Sequence, residues 1–171
     1  MKHCYLLLLP LLFASNTASA QQSQKELIKQ QAGFVVAAVI KHDFVAVIKS
    51  MPPKVIQIAG GEGKLLDIME KGLVKMKSQG ASIDTCEIGE PGDIIKAQDV
   101  LYAIIPEKII MQSNGTKFSG TSSLLAISMN KGSKWYFVDV GKMSAAQLKS
   151  LFPTVYNKLV IPKQSPPVAM H

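Results

Sequence analysis

Apolar residues recur at three- and four-residue steps through the first half of the chain. Leu27, Ile28, Phe34, Val35, Ala38 and Val39, with Gln31 in the same row, trace one stripe. That spacing predicts an amphipathic helix over residues 24–41. Asp43 stands where an N-cap is expected for a short helix carrying Phe44, Val47, Ile48 and Met51, which Pro52-Pro53 ends. Val55 to Ala59 is a short apolar piece closed by Gly60-Gly61. Leu65, Leu66, Met69, Leu73 and Met76 form a second stripe over residues 63–79, with Gly80 placed as a C-cap.

The second half reads as strands. Ile83 to Ile88 is a short one, before Glu90-Pro91-Gly92-Asp93. Ile94 to Ile105 predicts one long strand ending at Pro106. Residues 108–113 and 117–129 flank Asn114-Gly115, a hairpin signal because both central residues of a type I′ turn need positive φ. Asn130 and Gly132 mark a second turn, and Trp135 to Val140 follows as an aromatic, β-branched strand. Ser144 suits the cap of a last short helix with Leu148, Leu151 and Phe152. Helices first and hairpin strands after is an α+β order. Short connections force antiparallel pairing. The expected fold is N-terminal helices packed on one face of a curved antiparallel sheet of about four strands.

The first twenty residues follow another pattern. Lys2 and His3 precede a ten-residue apolar run, Cys4 to Phe13, broken by Pro10 and followed by Ala18-Ser19-Ala20. A membrane span needs about 20 apolar residues, so the run predicts a secretory signal peptide over 1–20 and no transmembrane anchor. The expected product is exported, periplasmic or secreted. Residues 21–162 then form a single α+β domain, and residues 163–171 a flexible Pro-rich tail. Cys4 lies before the apolar run, so it is not a lipid-attachment residue. Cys86 is the cysteine that remains, which leaves no intramolecular disulfide and makes a buried structural thiol the expected role.

Composition narrows the chemistry. Apolar residues make up 47% of the chain and charged residues 18%, a folded composition. The basic residues are 19 lysines, without one arginine, against 12 acids, for a net charge of +7. Scattered lysines without arginine argue against bidentate recognition of phosphate or guanine, so no nucleic-acid partner is expected. His42, His171, Cys86 and dispersed acids supply no metal-ligand cluster, and no cofactor is expected.

Asp99, inside an apolar run, and Asp139, among Tyr136, Phe137, Val138 and Val140, are the candidate catalytic acids. A carboxylate so placed can have a raised pKa and serve as a general base. Asp84 with Glu87, and Glu90 with Asp93, read as solvated loop pairs. His42-Asp43 reads as a helix cap, and Gly60 to Lys64 as a helix connection without phosphate-loop spacing. Among the aromatics, Tyr102 and Trp135 are the candidate ligand-binding residues, with core packing as their alternative. Ser128 to Trp135 resembles an Asp-box, with Asn130 in place of Asp and Lys134 in place of Ser/Thr. One copy without arginine implies a hairpin and no sialidase-like propeller.

Lys41-His42-Asp43-Phe44, Met51-Pro52-Pro53, Gly60-Gly61, residues 102–106, residues 124–128, and Gly132 with residues 135–139 together resemble a family of small exported bacterial proteins of unknown function. The element order over residues 24–162 also resembles the NTF2-like, or cystatin-like, α+β fold. That resemblance implies helices cupped by a bent sheet, and it leaves activity open, because such domains include enzymes, binding modules and dimerisation domains. Some NTF2-like enzymes use an Asp–His pair; adjacent His42-Asp43 does not carry that role over. Two functions follow as expectations. The first is a non-enzymatic module that binds an apolar small molecule or an envelope protein; it predicts a filled core and an exposed apolar patch. The second is an isomerase or hydrolase with Asp99 or Asp139 as base; it predicts a dry cavity reached by a carboxylate. A host-directed effector role and a homodimer are left open.

Overall fold

The computed structural model describes residues 15–170, with side chains from residue 21. The apolar run of the expected signal peptide lies outside the described residues. Helix α1 (Ser15–Ile40) is followed by α2 (Phe44–Lys49), α3 (Pro53–Ile58) and α4 (Glu62–Ser78). Strands β1 (Ala81–Ile88), β2 (Ile95–Ala97), β3 (Val100–Ser113), β4 (Thr116–Ser128) and β5 (Tyr136–Asp139) follow, then α5 (Ala145–Leu151) and β6 (Val168–Ala169). The protein is α+β: helices packed against a strongly curled antiparallel sheet of order β1-β3-β4-β5, consistent with an NTF2-like cup.

Local chemistry sets the element ends. The Asp43 carboxylate accepts from the Ala46 amide at 3.0 Å, capping α2. Ser144 and Gln147 exchange side-chain and backbone bonds in a capping box on α5. Asn114 and Gly115 take φ of 48° and 81° and close the β3–β4 hairpin. Val55 to Ile58 belongs to α3, with Ala59 at its C-cap; the first residue of α3, Pro53, has the preset φ of a helix start.

The strand expected over Ile94 to Ile105 is instead two. Gln98, with φ of 55°, and Asp99 form a tight turn between β2 and β3, and β3 runs through Pro106 to Ser113. Pro106 is tolerated in a central strand because it falls in a gap. β2 pairs with residues 100–102 of β3 and β1 with residues 107–113. Between them the carbonyls of Ile104 and Pro106 accept from the amides of Gly92 and Gly89, both at 2.8 Å. A strand residue's amide and carbonyl point to the same side. The donor that Pro106 lacks would therefore have faced this gap, not β4.

Both faces of the sheet are covered, where helices on one face were expected. Ile28 and Ala32 of α1 pack with Ala103, Ile105, Leu124, Ala126, Trp135 and Phe137. Alternation sends Tyr102, Ile104, Leu125, Ile127 and Val138 to the other face, where Leu148 of α5, Phe152 and Val155 cover them. Residues of both parities are thus buried in the run Leu124 to Ile127, which explains its unbroken apolarity. The Pro-rich end is placed along β4: β6 pairs with Phe118 and Ser119, and the Gln164 amide donates to Ser122 Oγ at 2.9 Å.

Candidate functional site

A cavity of about 200 Å³ lies between α1 and the sheet. Val35, Val36 and Val39, at helical spacing, supply the α1 wall. Ile83, Cys86, Glu107, Ile109, Leu124 and Asp139 supply the sheet wall, from four strands. The register aligns them: Cys86 lies opposite Ile109, and Leu124 opposite Asp139. Ile83 and Cys86 are three residues apart, which in a regular strand puts them on opposite faces. A register shift between Ile83 and Thr85 turns both to the cavity.

Three polar groups face the aliphatic walls. Glu107 is 7% exposed. Cys86 Sγ donates to its Oε2 at 3.4 Å, and no other partner of the Glu107 carboxyl occurs among the described residues. Burial pushes the Glu107 carboxyl up; the Cys86 hydrogen bond opposes this and the Asp139 charge adds to it. Burial, with the Glu107 charge and hydrogen bond behind it, pushes the Cys86 thiol up to about 12. A thiol so raised is a hydrogen-bond donor at neutral pH, not a nucleophile. Asp139 Oδ1 accepts from Ser122 Oγ and from the Gly141 amide, both at 2.9 Å, which fixes the carboxylate at the rim. On its outer side Glu107 also lines an open cleft bounded by Gly89, Pro106, Ser122 and residues 162–165.

The residues singled out from the sequence fall in different places. Asp139 reaches the cavity; Asp99 is exposed in the β2–β3 turn and lines a surface hollow with Lys96 and Met129. Tyr102 is buried in the cluster on the α5 face. Trp135 is 2% exposed beneath α1; its amide donates to Gln31 and its Nε1 to the Gly132 carbonyl at 3.0 Å. The turn above it is built on Asn130, whose side-chain oxygen accepts from Ser128 Oγ at 2.9 Å and from the Lys134 amide at 3.0 Å, while Gly132 takes φ of 91°. The acid pairs are split among lysines: Asp84 with Lys117, Glu87 with Lys108, Glu90 with Lys29 and Asp93 with Lys25.

Glu107 is the residue that sequence reasoning passed over. With β3 ended at Pro106, Glu107 reads as the start of a polar turn. Once β3 continues, its parity matches Ile105 and Ile109, and alternation places it inside. Among the described residues no three His, Cys, Asp or Glu side chains stand close enough to hold a metal ion, and no helix is long and apolar enough to cross a membrane. Comparison with known proteins returns no match: no family model, no curated protein and no solved structure aligns with the chain.

Proposed function

We propose that this protein is a binding module that takes a small, largely apolar molecule into the cavity between α1 and the sheet. One observation carries the reading: six aliphatic side chains line a half-open space of about 200 Å³ whose only deeply buried polar group is one carboxyl, that of Glu107. Convergent apolar walls with a single orienting group are the usual make-up of a ligand site. An apolar cavity of about 150 Å³ is known to hold benzene, so this one suits a body of that size or slightly larger. A cavity reached by a carboxylate is what the enzyme reading expects, and the filled core expected of a binding module is not what this space is; the chemistry of the walls is what favours binding over turnover. The thiol is held protonated, and neither histidine nor a lysine lines the space.

The test is thermal denaturation with increasing benzyl alcohol. A saturable rise in the midpoint is expected for the native chain, and none for Val36→Phe, which fills the space. A rise of equal size in both, or in neither, overturns the proposal.

A second reading, an isomerase with Asp139 as base, draws on the position of that carboxylate at the cavity rim. It expects deuterium exchange at the α-carbon of a small ketone such as cyclohexanone, abolished by Asp139→Asn. Exchange no faster than in buffer would remove it. Asp99, exposed in its turn, plays no part in either reading.

A further inference from the structure

The charge arrangement around the cavity is lopsided. The chain carries 19 lysines, and the ion pairs among the described residues engage Asp67, Asp84, Glu87, Glu90 and Asp93. Glu107 and Asp139, the two carboxyls at the cavity, engage none, as is true of the exposed Glu26, Asp43, Glu62, Glu70 and Asp99; Glu107 differs from all of these in being buried. Lys108, next to Glu107 in the chain, points to the opposite face of β3 by strand alternation and pairs with Glu87. One Glu107 oxygen meets only a thiol and the other meets no partner among the described residues. A carboxylate this deep without a cation is unfavourable, so the empty site favours the neutral acid, and no lysine of the chain lines the cavity side to let it ionise. The missing positive group therefore belongs to what enters the cavity.

We propose, resting on the binding reading above, that the ligand is a small apolar molecule bearing one protonated amine, which seats against Glu107 with its apolar body among the α1 valines. Asp139, Glu107 and Cys86 do not form a group able to hold a metal ion. The Asp139 charge draws the ammonium inward from the rim. On its cavity side Glu107 faces the Cys86 thiol from β1, Asp139 from β5 and Leu124 from β4, while α1 presents only valines. On its outer side Glu87, Lys108, Lys163 and Gln164 line the open cleft, and among the described residues neither lysine forms an ion pair with Glu107. No lysine lines the cavity side, where the ligand cation sits.

Binding is then linked to a proton. Burial favours the neutral carboxyl in the empty site, whereas the ammonium pairs with the carboxylate. The Glu107 proton leaves to solvent as the amine docks, so affinity for an amine rises with pH across the acid range.

The experiment is calorimetric titration of the intact chain with benzylamine and with benzyl alcohol, its neutral isostere, repeated on Glu107→Gln. The proposal expects benzylamine to bind native protein about tenfold tighter than the alcohol, the margin of a charge-assisted over a neutral hydrogen bond. It expects that margin to vanish in Glu107→Gln. Equal binding of amine and alcohol overturns the amine assignment and leaves the binding reading standing. A margin that survives Glu107→Gln overturns the role of Glu107. Binding of neither probe overturns both readings.

Discussion

Cys86 Sγ donates a 3.4 Å hydrogen bond to Glu107 Oε2, a diagonal contact between neighbouring strands β1 and β3. Each group is partly removed from water; Glu107 holds the Cys86 thiol protonated, while the thiol's hydrogen bond favours the Glu107 carboxylate against the larger effect of burial. The pair is the polar floor of an otherwise aliphatic cavity, and its protonation is measurable.

Cys86 reactivity is the first readout. Moving the thiol from its ordinary 9.0 to about 12 cuts the thiolate fraction by roughly a thousandfold. Modification by a soluble aromatic disulfide at pH 8 should be slower in the native protein than in guanidinium by at least a hundredfold. Rates within tenfold of each other would contradict the buried, hydrogen-bonded placement.

Glu107 has a signed pH dependence. Its folded value lies above the unfolded one, because burial penalises the carboxylate. The stability that goes with the protonated form is therefore full below the unfolded carboxylate range and is lost as pH rises through the folded value. Glu107→Gln keeps the neutral form at every pH. At pH 7 it should melt about 2–4 °C above the native chain, and the gap should close near pH 4. A variant less stable than native at pH 7 would refute the account of this carboxyl.

The Asn130 turn separates acceptor from charge. Asn130→Ala leaves the Lys134 amide and Ser128 hydroxyl without their acceptor and should cost about 1 kcal/mol in urea denaturation. Asn130→Asp keeps the acceptor and should cost less than half of that. Equal losses would show that the side chain does not hold the hairpin.

Gly141 tests the tail. A Cβ there would collide with the Gln164 amide and the Ser122 hydroxyl, the two groups that lead from the C-terminal segment to Asp139. Gly141→Ala should raise amide hydrogen exchange across residues 163–170 while leaving β3 unchanged. Unaltered exchange in that segment would mean that the contact does not retain it.

Much of the fold was legible because its signals are local. Asp43, Ser144 and Asn114-Gly115 each specify a cap or turn through their own side chain or φ, and each does so in the structure. The cavity was not legible, for three reasons. The β2–β3 turn uses Gln98 at positive φ without glycine or asparagine, so the apolar run around it reads as continuous and puts Asp99 in a strand. Pro106 reads as a strand end, although its missing donor falls in the gap between β1 and β2. The two errors together hid the parity of Glu107. The register shift at Asp84, invisible in composition, hid the shared facing of Ile83 and Cys86.

Methyl NMR tests the central claim most directly. Benzyl alcohol is titrated into the isotopically labelled chain while the valine, leucine and isoleucine methyl resonances are followed. A ligand in the α1–sheet cavity should give saturable shifts at Val35, Val39, Ile109 and Leu124 and leave Leu148 and Val155, on the opposite face, unmoved. Shifts confined to other methyls, or no saturable shift at all, would contradict the assignment of this cavity as the binding site.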